Sequence, residues 1–258
     1  METMISSAQN NQFKEWRKLH QAKQRRKLGQ YIIEGEHLVQ EALNYLPREQ
    51  FDAIIVSEDY QGTLITEISP DYLIKESLAS QLSQTQASQG IFAVIKMPDQ
   101  TEQLSQNGTH YLLVDAVQDP GNLGTMIRTA DAFNYDVIIL GEGTVDLYND
   151  KVLRSTQGSL WHLPIIQMPL DKAIDQLKAQ NIPVLATALN QVAKSYKNFT
   201  NLDSVAIIVG NEGQGVNPKN IDLADESVFI PMPGRSESLN VAVATGILLS
   251  EFTNSELN

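Results

Sequence analysis

Four short apolar runs dominate the second half of the chain: Tyr111-Leu-Leu-Val114, Val137-Ile-Ile-Leu140, Pro183-Val-Leu-Ala186 and Val205-Ala-Ile-Ile-Val209. A strand with one face in water alternates apolar and polar residues. Unbroken runs instead call for cover on both faces, as in parallel sheets sandwiched between helices. The intervening stretches supply such helices. One is expected over Leu123–Phe133, with Leu123, Ile127, Ala130 and Phe133 on its apolar face, another near Lys151–Ser155, and a third over Leu170–Ala179. Ile165-Ile166 adds a short strand. The expectation is an α/β domain with a mostly parallel sheet, whose ligands sit at the loops that follow strand C-termini.

The first hundred residues alternate in the same way but more briefly. A helix is expected over Gln12–Leu28, closed by Gly29, a usual C-terminal residue. Strands follow at Tyr31–Ile33, Phe51–Val56, Tyr72–Ile74 and Ile91–Ile95, with helices over Glu34–Leu46 and Glu76–Leu82. Pro98–Gly108 is polar and turn-prone. This places a smaller N-terminal α/β domain at 1–97, a linker at 98–108 and the second domain at 109–258.

The first helix concentrates charge. Lys14, Arg17, Lys18, Lys23, Arg25, Arg26 and Lys27 face one acid, Glu15, in a chain whose net charge is −12. Such a run is either a solvated helix face or a surface for phosphates. The acidic total argues against a protein that coats nucleic acid along its whole surface, so any contact is confined to one face. There is no cysteine, which excludes disulfides and thiolate chemistry and permits a reducing cytoplasm. His20, His37, His110 and His162 lack metal-ligand spacing, so no metal is expected. No basic stretch followed by an apolar core opens the sequence, and the longest apolar run, Leu239–Leu249, is too short to span a bilayer. A protein that is neither exported nor membrane-bound is expected.

Three loops concentrate polar groups and glycine. Asp119-Pro-Gly-Asn-Leu-Gly124 leads into Thr125-Met-Ile-Arg128; Asn122 is suited to cap that helix, and Arg128 either pairs with Asp131 or is free for a ligand. Gly210-Asn-Glu-Gly-Gln-Gly-Val216 follows a buried strand and sets Glu212 at its end. Pro231-Met-Pro-Gly-Arg-Ser-Glu-Ser-Leu-Asn240 runs into the apolar Val241–Leu249, with Ser238 and Asn240 at the junction, Ser238 suited to cap that helix and Asn240 to satisfy a nearby carbonyl, unless both hold a ligand. Each alone reads equally as an ordinary turn. Gly141-Glu-Gly-Thr-Val-Asp146 is an incomplete dinucleotide fingerprint, and Gly210–Gly215 lacks the phosphate-loop lysine followed by Ser or Thr.

Taken in order, Asp119–Phe133, Ile208–Val216 and Ile230–Ala244 closely resemble the three motifs of the SpoU (TrmH) branch of the SPOUT RNA methyltransferases. The basic helix followed by Tyr31-Ile-Ile-Glu-Gly-Glu-His-Leu-Val39 resembles the substrate-binding domain often joined to it. The resemblance implies a C-terminal SPOUT fold with a deep trefoil knot, a homodimer, bound S-adenosylmethionine, and methyl transfer to a ribose 2′-hydroxyl of ribosomal or transfer RNA. It implies cofactor-binding positions at Thr187, Leu189, Gly210, Gly215, Ile230, Met232 and Leu239. It places Asn122, Arg128, Glu212, Ser238 and Asn240 at the polar catalytic positions, and the seven cations of 14–27 at the RNA. Arg128 leads among them, as orienter or base, although a guanidinium is a poor base. Asn134 stands where the family often has glycine, and asparagine tolerates the same positive φ. The sequence also admits two other readings. One is a catalytically silent RNA-binding protein on the same fold; the other is a small-molecule nucleotide enzyme, which leaves the basic run unused.

Overall fold

The structure is a computed structural model that describes residues 3–64, 69–99, 103–104, 108–199 and 202–253. Two compact units emerge, one made of Met1–Asp99 with Asp146–Trp161, the other of Gln100–Val145 with His162–Asn258. Much of the expected linker, 98–108, lies outside the described residues.

Unit 1 runs β1 (Thr3–Ile5), α1 (Asn11–Lys18), α2 (Ala22–Leu28), β2 (Gln30–Glu34), α3 (Glu36–Tyr45), β3 (Phe51–Ser57), β4 (Tyr72–Ile74), α4 (Glu76–Leu82) and β5 (Ile91–Lys96). Its sheet has the order β1-β4-β3-β5-β2, with β1, β4 and β3 parallel and β3, β5 and β2 antiparallel. Phe13, Trp16 and Leu19 pack against Ile32, Ile55, Phe92 and Val94 to form its core. The single helix expected over 12–28 is two. Asn10 caps α1 through its side chain, accepting from the Gln12 and Phe13 amides, and α1 ends at Lys18. No glycine or proline marks the break. It follows from burial of Leu19 and from the bonds that His20 makes to Leu82 O and to Asp150. Gly29 closes α2 at φ +64°, a conformation that costs a residue without Cβ little.

Unit 2 starts with β6 (His110–Val114), α5 (Pro120–Ala132) and β7 (Val137–Leu140). The next stretch, Asp146–Trp161, carries α6 (Asp150–Thr156) and packs in unit 1. Unit 2 resumes with β8 (Ile165–Gln167), α7 (Leu170–Ala179), β9 (Val184–Thr187), β10 (Lys194–Ser195), β11 (Val205–Val209), α8 (Pro218–Leu223), β12 (Glu226–Phe229) and α9 (Val241–Phe252). The strands pair in the order β10-β12-β9-β11-β6-β7-β8, and every pairing is parallel. Side chains alternate across a strand. Tyr111, Leu113, Ala206 and Ile208 therefore meet Ala173, Ile174 and Leu177 of α7 on one face. The alternate residues, Leu112, Val114, Ile207 and Val209, are as deeply buried on the other, where α9 packs on β11 and α5.

Candidate functional site

Three neighbouring parallel strands, β12, β9 and β11, end level with one another: Val228 pairs with Thr187, and Ala186 with Ile208. The loops that follow leave side by side across about 10 Å, twice the spacing of adjacent strands. They begin at Ala188, Gly210 and Ile230. Thr187 is held in place by donating its hydroxyl to Ile208 O at 3.0 Å.

The middle loop folds back tightly. Asn211 and Gly215 exchange backbone hydrogen bonds of 3.0 and 2.9 Å, and the Asn211 side-chain oxygen accepts from the Gly213 and Gln214 amides. Asn211 Nδ2 reaches across to Ala116 O at 2.8 Å. Ala116 has φ +55°, a costly conformation for a residue with a Cβ, and this bond helps to hold it. A Cβ on Gly210 would lie 2.1 Å from Gly215 C and Val216 N, so the return strand of the loop fits only against glycine.

α5 begins three residues before its expected start. Asp119, not Asn122, is the N-cap; its side chain accepts from the Asn122 amide at 2.9 Å, with Pro120 in the first turn. That leaves the Asn122 carboxamide free for longer-range work. Asn122 Nδ2 donates to Glu212 Oε1 at 3.0 Å, and Asn240 Nδ2 donates to Asn122 Oδ1 at 3.0 Å. The expected helix capping by Ser238 is also corrected: Asn240 caps α9, accepting from the amides of Ala242 at 2.9 Å and Val243 at 3.3 Å. One hydrogen-bonded chain thus joins the start of α5 to the loops that begin at Gly210 and Ile230.

The direction of that chain is fixed at both ends. An ionised carboxylate only accepts, and helix N-terminal amides only donate. Asn122 and Asn240 must both turn their NH2 groups towards Glu212 and their oxygens towards α9. Glu212 also accepts from the Asp119 amide at 3.0 Å and the Gln118 amide at 3.2 Å. Partial burial opposes its ionisation, but the bonds from Asn122 and from the amides of Asp119, Glu212 itself and Gln118 outweigh that and hold its carboxyl below the ordinary range.

The remaining site residues fall into four sets. Arg128 lies two turns beyond Asn122 on α5, exposed and without a hydrogen bond or ion pair among the described residues; Asp131 instead meets His162 Nδ1 at 2.7 Å. Gly215 is exposed at φ +72°, Ile230 and Met232 are half-buried, and Leu189 and Leu239 stand in solvent at 73% and 37% exposure. Ser238 is exposed, and its carbonyl accepts from Ser236 Oγ. In unit 1, Lys14, Arg17, Lys18, Lys23, Arg26 and Lys27 are exposed. Arg25 is not: it is 2% exposed and donates to Leu19 O and Asp146, so it does not belong with the surface cations.

A sequence model of the SpoU rRNA Methylase family matches residues 109–250, more than half of the chain, and one of the MRM3-like substrate binding domain matches residues 10–93. The chain belongs to the SpoU rRNA methylase family. Over 245 residues it is 43% identical to the 23S rRNA (guanosine(2553)-2′-O)-methyltransferase RlmP of Bacillus subtilis, covering 95% of this chain and 97% of that one. The AdoMet-bound rRNA methyltransferase from Sinorhizobium meliloti superposes with a TM-score of 0.86 at 28% identity, over 96% of both chains. AviRb of Streptomyces viridochromogenes, at 24% identity, shares the fold with a TM-score of 0.84 over 94% of this chain and 97% of that one.

Within this SpoU family member, reading the sequence missed Asn211 and Asp119 as organisers of the site. Both carried a signal. An Asn just after a buried strand and two residues before a glycine favours a side-chain turn, and Asp-Pro is a helix-start pair. Asp115 was missed as well; its buried carboxylate accepts from the Asn217 amide and Asn220 Nδ2, tying the end of β6 to α8.

Proposed function

We propose that this chain transfers a methyl group from S-adenosylmethionine to a guanosine ribose 2′-hydroxyl of 23S ribosomal RNA. The observation that carries the reading is the chain Asn240–Asn122–Glu212, which gathers the three SpoU motifs at the ends of parallel strands, with Arg128, unpaired among the described residues, further along the same helix as Asn122. The protein is an RNA (ribose-2′-O)-methyltransferase, and its cofactor is S-adenosylmethionine.

The residues present suit that cofactor. Gly210 lets backbone approach closely, and among the described residues the amides of Met232 and Gly234–Leu239 donate to no protein group, which leaves main-chain donors for a ligand. Thr187, Leu189, Gly210, Gly215, Ile230, Met232 and Leu239 are the positions that would hold it. When bound, it supplies a methyl group activated on a sulfonium sulfur. The protein's contribution is alignment of the ribose hydroxyl with that methyl, since displacement at carbon needs little covalent help. A guanidinium stays protonated. We therefore assign Arg128 to the phosphate beside the reacting ribose rather than to proton removal; the proton released from the hydroxyl on transfer passes to water. Ser238 and Asn240 offer hydroxyl and carboxamide groups to the ribose, and Glu212 keeps the two loops in register.

Three further parts of the reading go with this. A homodimer is supported by Leu189, Val192, Leu239 and Val243, large apolar residues that one chain leaves exposed. A trefoil knot is supported by the tight return of 210–216 next to the third motif. A cytoplasmic location fits the absence of cysteine, and no described helix is long and apolar enough to cross a membrane.

The test is incubation with labelled S-adenosylmethionine and 23S ribosomal RNA from cells lacking the protein, followed by nuclease mapping. One 2′-O-methylated guanosine is expected. Absence of transfer to every RNA fraction, with Arg128→Ala indistinguishable from the parent, would refute the reading.

A further inference from the structure

The basic run is built from two copies of one pattern. Lys14, Arg17 and Lys18 sit at i, i+3 and i+4 on α1, and Lys23, Arg26 and Lys27 repeat that spacing nine residues later on α2. Each triplet occupies one face of its helix. All six are exposed and have no ion pair among the described residues, although the protein holds 31 acids. Elsewhere on the surface Arg48, Lys178, Lys194 and Lys219 are paired.

The two helices are anchored very differently. α1 buries Phe13 and Trp16, whereas the one buried residue of α2 is Arg25. At seven residues, and without a side-chain cap at its start, α2 has little stability of its own. Its placement depends on the Arg25 guanidinium, which donates to Leu19 O at 2.8 Å, tying α2 to the end of α1, and to Asp146 Oδ2 at 2.7 Å. His20, in the corner between the helices, meets Asp150 Oδ1 at 3.1 Å. Both acids come from Asp146–Trp161, a stretch of the methylase half of the sequence that packs in unit 1.

We propose that Arg25 and Asp146 are positioning residues for RNA: their pair orients α2 so that Lys23, Arg26 and Lys27 engage the RNA backbone as one unit, while α1 presents its own triplet independently. The inference rests on the RNA-methyltransferase reading for its partner. It makes a prediction opposite to simple electrostatics. Removing the acid at Asp146 raises the net charge and unmasks a cation, which by charge alone strengthens RNA binding; loss of the anchor weakens it.

The experiment measures binding of a 23S ribosomal RNA transcript against salt concentration. Each phosphate contact contributes about 0.7 to 0.9 to the slope of log affinity on log salt, so replacing Lys23, Arg26 and Lys27 together by Gln should flatten the slope by about 2 to 3. Asp146→Asn should weaken binding and flatten the slope by the same amount, and combining it with the α2 triple substitution should add nothing. Combining it with Gln at Lys14, Arg17 and Lys18 should add that triplet's full loss. Arg25→Lys keeps the charge but not the two-armed grip, and should behave like Asp146→Asn. Tighter binding by Asp146→Asn, a parental slope in Arg25→Lys, or additive losses with the α2 triplet would overturn the proposal. Loss of cofactor binding by both single variants would overturn it too, in favour of a role in the whole fold. Methyl transfer by the parent is measured alongside: its absence refutes the enzymatic reading, whereas unmoved slopes with transfer intact refute only the positioning role.

Discussion

Replacing Glu212 by Gln tests whether this carboxylate positions the site or takes part in the chemistry. The side chain changes little in size, but its hydrogen-bonding inventory does. Besides its own amide, Glu212 faces three donors: Oε1 accepts from Asp119 N and Asn122 Nδ2, each at 3.0 Å, and Oε2 from Gln118 N at 3.2 Å. A carboxamide has one acceptor oxygen. Set at the Oε1 position it keeps two bonds without their charge assistance, and its NH2 group then faces the Gln118 amide donor to donor. One lost bond is about 1 kcal/mol, and the lost charge adds less than about another 1 kcal/mol because solvent screens an exposed group. A total of about 1–2 kcal/mol corresponds to a 5- to 30-fold loss in kcat/KM for methyl transfer. The assay is initial-rate transfer to 23S ribosomal RNA near pH 7.5, with a thermal melt to confirm the fold. An unchanged rate would refute the positioning role, and a loss beyond about a thousandfold would refute it from the other side, by placing the carboxylate in the reaction itself. The pH dependence has a definite sign. Because the folded protein holds the Glu212 carboxyl below its ordinary value, its network is fully present above the unfolded value of about 4.3 and is lost only as pH falls through the lowered one. An acid limb removed by Glu212→Gln but centred near pH 6 would contradict this.

Arg128→Ala should reduce transfer by about a hundredfold or more while moving stability by less than about 0.5 kcal/mol, because the exposed guanidinium makes no bond among the described residues; labelled-cofactor transfer and a thermal melt report the two. Arg128→Lys should recover little of that loss, since an ammonium lacks the fork that grips a phosphate. Gly210→Ala places a methyl 2.1 Å from backbone atoms that cannot step aside, so cofactor affinity measured by calorimetry should fall at least tenfold, with destabilisation of about 2 kcal/mol or more. Ile207→Ala, in a strand buried on both faces, should cost about 2–5 kcal/mol in urea unfolding.

What could be read in the sequence was whatever is decided locally. The runs at 111–114, 137–140, 183–186 and 205–209 lie in strands, the third displaced by one residue to Val184–Thr187, because a doubly covered sheet hides so many consecutive apolar side chains. Gly29 ends its helix at positive φ, and Asn134 adopts φ +54° in place of a glycine. What could not be read was decided at a distance. Nothing at Leu19–Gln21 is a helix breaker, and the break depends on partners at Leu82 and Asp150. Arg25 is chemically indistinguishable from its neighbours in a run of cations; only an acid 121 positions later removes it from the surface. The site itself divides the same way. Which loops carry it was legible from their place after buried strands, but both Ser238 and Asn240 are good helix caps, and the choice between them is made by the reach of Asn240 to Asn122. That choice ties the cap of α9 to the carboxylate of Glu212 through two carboxamides with only one workable orientation. A substitution at any of the three therefore alters the donor and acceptor pattern presented by the other two, and their effects on transfer should be far from additive.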